Sequence, residues 1–326
     1  MKKIFSLLII FALFFILNVE DKITAFSKKK QTSNEIKIVI PTGFPAISMA
    51  ELISGGMQFD KNIKTVYEVI ESPDLMAARV ISGEADIAIV PTNLSAKLYN
   101  KNVDIKLAGS VVWGILYLAA SEEIKEWKDL KGKEIYAIGR GLTPDIVFRY
   151  LLTANGLDSE KDVKIKYMEG IAELSASFIA GKSSIVVIPE PALSMVLTKK
   201  PNTKIVMDLQ KEWAAVSGNS MSYPQASLII KNDVIKNNPD YVKSFLEKIS
   251  ESIEMLKNDP EKAGKLTGAF LKTPPPLIIT KSLHRGNLKW VKGKDAKNAI
   301  EKYLEVLLKF SPESIGGKLP DEKFYF

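Results

Sequence analysis

The chain carries one stretch of sequence twice, and the two copies lie 98 positions apart. The first copy reads VISGEADIAIVP over residues 80–91, and the second reads FIAGKSSIVVIP over residues 178–189. The same offset relates Gly43 to Gly141 and Glu71 to Glu169 upstream of these stretches. Each copy has the order strand, glycine loop, helix, strand, helix, glycine, strand, proline. The repeat predicts two similar lobes whose strand ends face each other, an arrangement suited to the capture of a small molecule.

Strands alternate with helices along both copies. We expect strands at residues 36–40, 65–70 and 86–90 in the first copy and at residues 134–138, 163–168 and 185–188 in the second. Near-continuous apolar strands that alternate with helices are typical of parallel sheets covered on both faces. The predicted fold is therefore α/β, with each lobe a doubly wound, mostly parallel sheet.

Two apolar stretches are predicted to cross between the lobes. Residues 106–119, interrupted by Gly114, form the first crossing, and residues 226–230 form the return. Amphipathic helices follow at residues 239–257 and 296–310. This pattern assigns residues 35–115 to the first lobe, residues 118–224 to the second, and residues 226–326 to the first again.

Composition excludes several classes of chemistry. The 326 residues include no cysteine and a single histidine, His284, in the polar stretch at residues 282–285. Thiol catalysis, disulfides, cysteine zinc sites and Ser-His-Asp triads are therefore not expected, nor is a metal or cofactor. The net charge of +7 comes from basic residues that seldom interleave with aromatic ones, so nucleic acid is not an expected partner.

The N-terminal residues predict export. Lys2 and Lys3 precede an apolar run over residues 4–17, which is short for a membrane span but suits the core of a signal peptide. Ala25 and Ser27 provide small residues for cleavage, so residues 1–27 are predicted to be a signal peptide or a retained N-terminal anchor. Both alternatives place the body of the protein outside the cytoplasmic membrane. Without cysteine, it is not a lipoprotein.

The loops that follow the first strand of each copy are the first candidates for ligand binding. In open α/β sheets, ligands bind beyond the carboxyl ends of the strands, beside helix N-termini. This rule selects Thr42, Gly43 and Phe44 in the first lobe and Arg140, Gly141 and Thr143 in the second. The positive end of a helix dipole favours an anion, and Arg140 adds a guanidinium that suits a carboxylate or sulfonate. Thr143 is also the predicted N-cap of its helix, and Asp145 in the first turn is an alternative partner for that dipole.

The loops after the two repeated prolines are the second candidates. Thr92 and Asn93 either hydrogen-bond a ligand or cap the helix that follows. Glu190 either selects an amine or ring nitrogen, or pairs with a lysine across the lobes.

Aromatic residues at the crossings are the third candidates. Trp113 stands beside Gly114, and Tyr223 stands beside Pro224. Aromatic walls suit planar or cationic ligands. The alternative for Trp113 is a place in the core of the hinge.

The pattern resembles the substrate-binding proteins of ABC transporters of the nitrate/sulfonate/taurine and thiamine-precursor type (SsuA/NMT1-like). The resemblance is carried by ISGEADIA at residues 81–88, WKDLKGK at residues 127–133, ASLII at residues 226–230 and NPDYV at residues 238–242. It implies a type II periplasmic-binding fold, ligand-driven closure and delivery of the ligand to a membrane permease with its ATPase. It further implies a monomer that has no catalytic activity.

Three functions stay open for a chain of this kind. The main one is a receptor for a small anion or zwitterion of the sulfonate, nitrate, taurine or vitamin-precursor class. The second is an enzyme on the same fold, of the thiamine-pyrimidine or menaquinone pathway type, although the first of these relies on histidine and cysteine that are absent here. The third is a sensing module for a membrane kinase. Arg140 favours an anionic ligand, Glu190 a cation, and the aromatic pair a ring.

Overall fold

The computed structural model describes residues 34–71, 73–218 and 222–326. The predicted signal segment at residues 1–27 lies outside the described residues. Residues Ile36–Phe326 form one compact unit. Within the described ranges, no helix combines the length and the apolar character that a membrane crossing requires.

The first sheet has six strands in the order β11-β4-β10-β3-β1-β2. In chain order, these strands are β1 (Glu35–Pro41), β2 (Lys64–Ile70), β3 (Ile87–Pro91), β4 (Ile105–Trp113), β10 (Pro224–Lys231) and β11 (Leu288–Lys292). β1 and β3 are parallel, whereas β10 runs antiparallel to both β3 and β4, and β11 runs antiparallel to β4.

The second sheet has five strands in the order β7-β6-β8-β5-β9. These are β5 (Leu116–Ala120), β6 (Glu134–Ile138), β7 (Lys164–Met168), β8 (Ile185–Pro189) and β9 (Lys204–Asp208). β6 is parallel to β7 and β8, and β5 is antiparallel to β8 and β9. The two stretches at residues 36–110 and 134–222 therefore contribute to separate sheets.

Helices connect the strands of both sheets. Those of the first part of the chain are α1 (Phe44–Ser48), α2 (Ala50–Ser54), α3 (Pro73–Ile81) and α4 (Thr92–Asn100). Those between β6 and β10 are α5 (Thr143–Ala154), α6 (Ile171–Ile179), α7 (Ala192–Lys199) and α8 (Leu209–Ser217). After β10 come α9 (Asn232–Asn237), α10 (Pro239–Asn258), α11 (Pro260–Gly268), α12 (Pro276–Ser282) and α13 (Gly293–Phe310).

The sequence repeat is also a structural repeat. Shifting α3 by 98 residues gives the bounds of α6, and the same shift turns the bounds of β3 into those of β8. Gly83 and Gly181, which follow these helices, have φ values of 77° and 75°. Such left-handed conformations favour glycine, which explains why both copies keep it after the helix.

The two sheets follow the α/β plan predicted from the sequence, with one difference. Only the repeated strands run parallel, and the strands that cross between the sheets run antiparallel to their neighbours, so each sheet is mixed rather than mostly parallel. The reason is connectivity, since a strand that enters from the other sheet arrives at the carboxyl end of its neighbour. The predicted assignment of residue ranges to two lobes stays a prediction; below, "first lobe" and "second lobe" denote the first and second sheet with the helices packed on each.

The apolar faces of the helices cover the sheets. One face of the first sheet packs against α1, α2 and α10, where the amphipathic pattern of α10 buries Phe245, Ile249 and Ile253 completely. A side chain of this size contributes about 1.5–3 kcal/mol when fully buried. This packing fixes the loops at the strand ends.

Candidate functional site

The carboxyl ends of the parallel strands of both sheets face the region where the chain crosses between them. The start of β5 pairs with the end of β8, because Leu116 lies opposite Pro189. Likewise the start of β10 pairs with the end of β3, because Ala226 lies opposite Pro91. Both repeated prolines are therefore at the level of the crossings, and so are the loops that begin directly after them.

The two crossings lie side by side and form a hinge, which we define as Trp113–Leu116 and Ser222–Pro224. The Gly114 N–H donates to the Tyr223 carbonyl at 2.9 Å, and the Asn287 side-chain amide donates to the Gly114 carbonyl at 2.6 Å. A Cβ on Gly114 would lie 2.5 Å from the Tyr223 ring. Only glycine allows this close approach of the two crossings.

An ion pair joins the two lobes beside the hinge. Glu190 directly follows β8 of the second sheet, whereas Arg285 directly precedes the segment that leads into β11 of the first. Arg285 Nε donates to Glu190 Oε1 at 2.5 Å, and the Glu190 side chain has no solvent exposure while that of Arg285 keeps 19%. The predicted lysine partner of Glu190 is therefore wrong, because the partner is an arginine.

Hydrogen bonds from Ser194 complete this ion pair. The Ser194 N–H and hydroxyl each donate to Glu190 at 3.0 Å, and Arg285 Nη2 donates to the same hydroxyl oxygen at 2.7 Å. Burial raises the pKa of Glu190, and Arg285 opposes this shift. The three hydrogen bonds satisfy this carboxylate within the protein, and because its side chain has no solvent exposure, Glu190 is closed to a ligand amine.

The residues around Arg285 hold it in place from both lobes. The Tyr117 hydroxyl, on β5, donates to the Arg285 carbonyl at 2.9 Å. On the other side, a Cβ on Gly286 would lie 1.8 Å from the Phe44 ring, so the ring packs directly against the backbone. Phe44 is 1% exposed because its ring is buried in this packing. Its predicted contact with a ligand is therefore corrected to a structural role.

The other predicted residues of the first lobe divide into accessible and buried ones. Thr42, Gly43 and Asn93 are partly exposed at the strand ends, whereas Thr92 is fully buried. The Thr92 hydroxyl lies 2.8 Å from the Ser227 hydroxyl on β10, which in turn lies 3.0 Å from the Ser110 hydroxyl on β4. Because α4 begins at Thr92 without a side-chain cap, Thr92 is neither an N-cap nor exposed to a ligand, and the prediction is corrected to a buried contact between α4 and β10.

The predicted anion site at the start of α5 is occupied by the protein's own carboxylate. Asp145 Oδ2 accepts the Gly141 N–H at 2.8 Å, and Asp145 Oδ1 accepts the Tyr167 hydroxyl at 2.5 Å. Thr143 is the first residue of the helix rather than its N-cap, and its buried hydroxyl lies 2.7 Å from that of Tyr303. The dipole of this helix is thus satisfied by Asp145, the alternative considered above.

Arg140 remains available at the same strand end. It is exposed, and its guanidinium carbon lies 5.6 Å from the centre of the Tyr167 ring. Among the described residues, no carboxylate forms an ion pair with Arg140. Of the predicted site residues, Arg140 is therefore an exposed cation at a strand end without an ion-pair partner among the described residues.

The two aromatic residues at the hinge belong to its core. Tyr223 is 0% exposed, donates to Gln210 at 3.1 Å and stacks on Tyr303 with ring centres 5.9 Å apart. Trp113 is 4% exposed, and its indole N–H donates to the Lys289 carbonyl at 3.0 Å. The predicted aromatic walls are corrected accordingly: Tyr223 has no open surface, and Trp113 follows its alternative as hinge core.

Comparison with known proteins places this architecture in a family. The family model described as "NMT1/THI5 like" matches residues 60–263, which is more than half of the chain. The protein YtlA of Bacillus subtilis strain 168 is 23% identical over 266 residues, which cover 78% of this chain and 77% of YtlA.

Solved structures share the fold. The crystal structure of an ABC transporter protein from Parabacteroides distasonis is 29% identical, with a TM-score of 0.77 over 90% of this chain and 99% of that one. The periplasmic aliphatic sulphonate binding protein SsuA from Escherichia coli is 16% identical, with a TM-score of 0.73 over 90% of this chain and 92% of its own. The two mixed sheets are those of the type II periplasmic-binding fold, and the resemblance predicted from the sequence is confirmed. The chain is a member of the NMT1/THI5-like family.

Proposed function

We propose that this protein is an extracytoplasmic receptor that captures a small anion or zwitterion between its lobes and delivers it to an ABC importer. The proposal is supported by the hinge between two sheets whose strand ends face each other, and by the likeness to binding proteins such as SsuA. Ligands of open α/β sheets bind at such strand ends. The ligand class is the sulfonate, nitrate, taurine or vitamin-precursor class.

The charge preference rests on one observation, the buried pairing of Glu190 with Arg285. From sequence, Glu190 favoured a cationic ligand and Arg140 an anionic one. The ion pair neutralises Glu190, whereas Arg140 is exposed at its strand end. An anionic group is therefore the best complement to this gap, with Thr42, Gly43, Asn93 and Arg140 as the proposed contacts, whereas the Gly141 N–H is already bonded to Asp145.

The mechanism is closure around the ligand. A ligand shifts the balance between open and closed forms only by its greater affinity for one of them. Contacts to the loops after β1 and β3 from one side and after β6 from the other are made together only when the lobes are close. The ligand thus stabilises the closed form, which is the form proposed to dock on the permease.

Export and transport follow from the same proposal. The predicted signal segment, residues 1–27, would deliver the body of the protein across the membrane, and the structurally similar SsuA is a periplasmic protein. The menaquinone-pathway type of enzyme works in the cytoplasm, which the predicted signal segment disfavours. The thiamine-pyrimidine type gains no support, because the chain has no cysteine and only one histidine. That histidine contacts Arg285 and lies apart from Arg140 in the chain.

Titration of the purified protein tests the proposal. Nitrate, taurine, alkanesulfonates, amino acids and a thiamine pyrimidine precursor are added while tryptophan fluorescence and melting temperature are followed. A true ligand at 100 times its Kd adds about 2.7 kcal/mol to the free energy of unfolding, which raises the melting temperature. Turnover of any of these compounds without tight binding would reject the receptor.

Two variants test the ligand charge. Arg140→Gln removes one charge-assisted hydrogen bond, whose net value of about 1.5–3 kcal/mol corresponds to a loss of affinity of roughly 10-fold to 150-fold. Lys182→Gln is the matched control, because Lys182 is exposed in the same lobe, in the turn before β8, and its replacement lowers the net charge by the same amount. Unchanged binding in Arg140→Gln would contradict the anion preference while leaving the receptor proposal intact.

A further inference from the structure

A cavity lies beside the hinge, on the side of β11. Its volume is about 440 Å³, within the range of about 300–1,000 Å³ that is usual for small-molecule pockets. Its wall is formed by Trp113, Ser222, Lys257, Pro260, Leu283, His284, Asn287, Leu288 and Lys289. Of the residues proposed to bind the transported solute, none lines this cavity. The cavity is therefore lined by a different set of residues from those proposed for the solute.

The wall has one sign of charge. It includes the ammonium groups of Lys257 and Lys289, and no acidic residue is among the described residues that line it. Lys257 is partly offset by Glu254, whose carboxylate lies 3.0 Å from its ammonium nitrogen, whereas Lys289 forms no ion pair with any described residue. A concave surface that presents ammonium groups without a carboxylate attracts an anion.

A polar group in the wall also lacks a partner. The Ser222 hydroxyl oxygen is buried, yet no described group forms a hydrogen bond with it. A buried hydroxyl without a partner costs about 1–3 kcal/mol, so an unused donor here favours a bound acceptor. The hydroxyl lies on the second crossing, next to Tyr223, and so belongs to the hinge itself.

Apart from Asn287, whose amide donates to the Gly114 carbonyl, the rest of the wall is apolar. Leu283, Leu288, Pro260 and the indole of Trp113 provide it. The indole N–H is held by the Lys289 carbonyl at 3.0 Å, which fixes the ring plane. An apolar surface with a fixed aromatic ring suits a flat apolar group, and the nearby ammonium and hydroxyl groups suit an acidic one.

We propose that this hinge-side cavity is a second binding site, which takes a small organic anion composed of an aromatic ring and one acidic group. The acidic group contacts Lys289 and the Ser222 hydroxyl, and the ring lies against Trp113 and Leu288. Because the wall contains both crossings, a molecule bound here favours the hinge conformation that forms the cavity and thereby changes the affinity of the site between the lobes. This inference does not depend on the identity of the transported solute.

The only histidine provides a direct probe of the cavity. The full protein is titrated with benzoate at pH 7 while the single imidazole signal of His284 is followed by NMR, with benzylamine as the probe of opposite charge. We expect a saturable shift with benzoate and none with benzylamine. No saturable shift with benzoate, or equal shifts with both compounds, would overturn the proposal.

Variants separate this site from the one between the lobes. Lys289 is exposed, so Lys289→Gln is not expected to affect folding, and it should weaken benzoate binding about fivefold to tenfold through the lost charge. Ser222→Ala should weaken it about twofold to tenfold through the lost hydrogen bond. Arg140→Gln should leave the benzoate titration unchanged. Benzoate binding that is lost in Arg140→Gln but kept in Lys289→Gln would assign the compound to the gap between the lobes and refute the second site.

Discussion

Replacing Arg285 by glutamine should destabilise the protein and drive its lobes apart. The change leaves the Glu190 carboxylate, whose side chain has no exposure, with only the two hydrogen bonds from Ser194. Two changes would relieve the unpaired charge: protonation of Glu190, or separation of the lobes so that water reaches its carboxylate. We therefore expect a lower free energy of unfolding together with a larger radius of gyration.

The magnitude follows from the geometry of the pair. With charge centres about 4 Å apart and an effective dielectric constant of about 20, the attraction is about 4 kcal/mol. In the intact pair, the cost of removing both charges from water offsets most of that gain. Removal of a single partner nevertheless typically costs about 3–5 kcal/mol, because it leaves the other charge buried and unpaired. Arg285 keeps 19% exposure, so the lower end of the range applies and we expect a loss of about 3 kcal/mol.

A double-mutant cycle with urea unfolding and small-angle scattering is the assay. Glu190→Gln, Arg285→Gln and the double variant are compared, and the double variant should recover about 2 kcal/mol of the summed single losses, because no unpaired charge remains. Lys161→Gln is the control, since its partner Asp158 forms an exposed ion pair with 81% of the lysine side chain in solvent. That control should change stability by less than about 0.5 kcal/mol.

Additivity would refute this reasoning. If the two single losses sum to the double loss within about 0.5 kcal/mol, the groups do not interact. An unchanged radius of gyration in Arg285→Gln would show that the pair does not hold the lobes together. The loss in Arg285→Gln should also shrink as pH falls, because burial raises the pKa of Glu190 and protonation then removes its charge.

Two more predictions concern the hinge and its surroundings. Gly114→Ala places a Cβ 2.5 Å from the Tyr223 ring and should lower the free energy of unfolding in urea by about 1–3 kcal/mol. Gly170→Ala is the control and should lower it less, because a Cβ at Gly170 meets nothing within 4 Å. Equal losses would contradict the close approach at the hinge. Partial burial and the neighbouring Arg285 lower the pKa of His284 in the folded protein below the usual 6.5. At pH values between the folded pKa and 6.5, the unfolded chain therefore binds a proton that the folded chain does not. Stability should therefore fall as pH drops from 7 to 5, and His284→Gln should flatten this dependence; an imidazole NMR titration with a midpoint at or above 6.5 would contradict the shift.

Much of the fold could be predicted because the repeat fixes its periodic parts. The strand at residues 134–138 and the start of the helix at Pro239 lie where the sequence placed them. The region between β8 and β10 was harder, and β9 and α8 were missed, because they have no counterpart in the repeat. The single helix that the repeat predicts between its first two strands is instead two short helices, α1 and α2, with Met49 between them in a non-helical conformation.

The site was less predictable, since its contacts are made between distant parts of the chain. Arg285 was interpreted as part of a polar surface stretch, because the short strand β11 that positions it was not recognised. Nothing local to Glu190 indicates a partner 95 residues further on. Burial of Phe44, Thr92 and Tyr223 likewise depends on tertiary packing, which a rule about strand ends does not include. The rule selects an edge of each sheet, but it does not predict the direction of each side chain.

The position of the crossing strands sets an order for the folding of the chain. β10 lies between β3 and β4 in the first sheet, and these two strands do not pair with each other. During synthesis the ribosome therefore releases every residue of the second lobe before the strand that joins the halves of the first sheet. Until β10 is synthesised, β3 and β4 each keep one unpaired edge, and exposed strand edges promote aggregation. The second lobe already has all its strands at that stage. Slow translation between residues 134 and 224 would prolong this exposure, and a chaperone that shields strand edges would act during this interval.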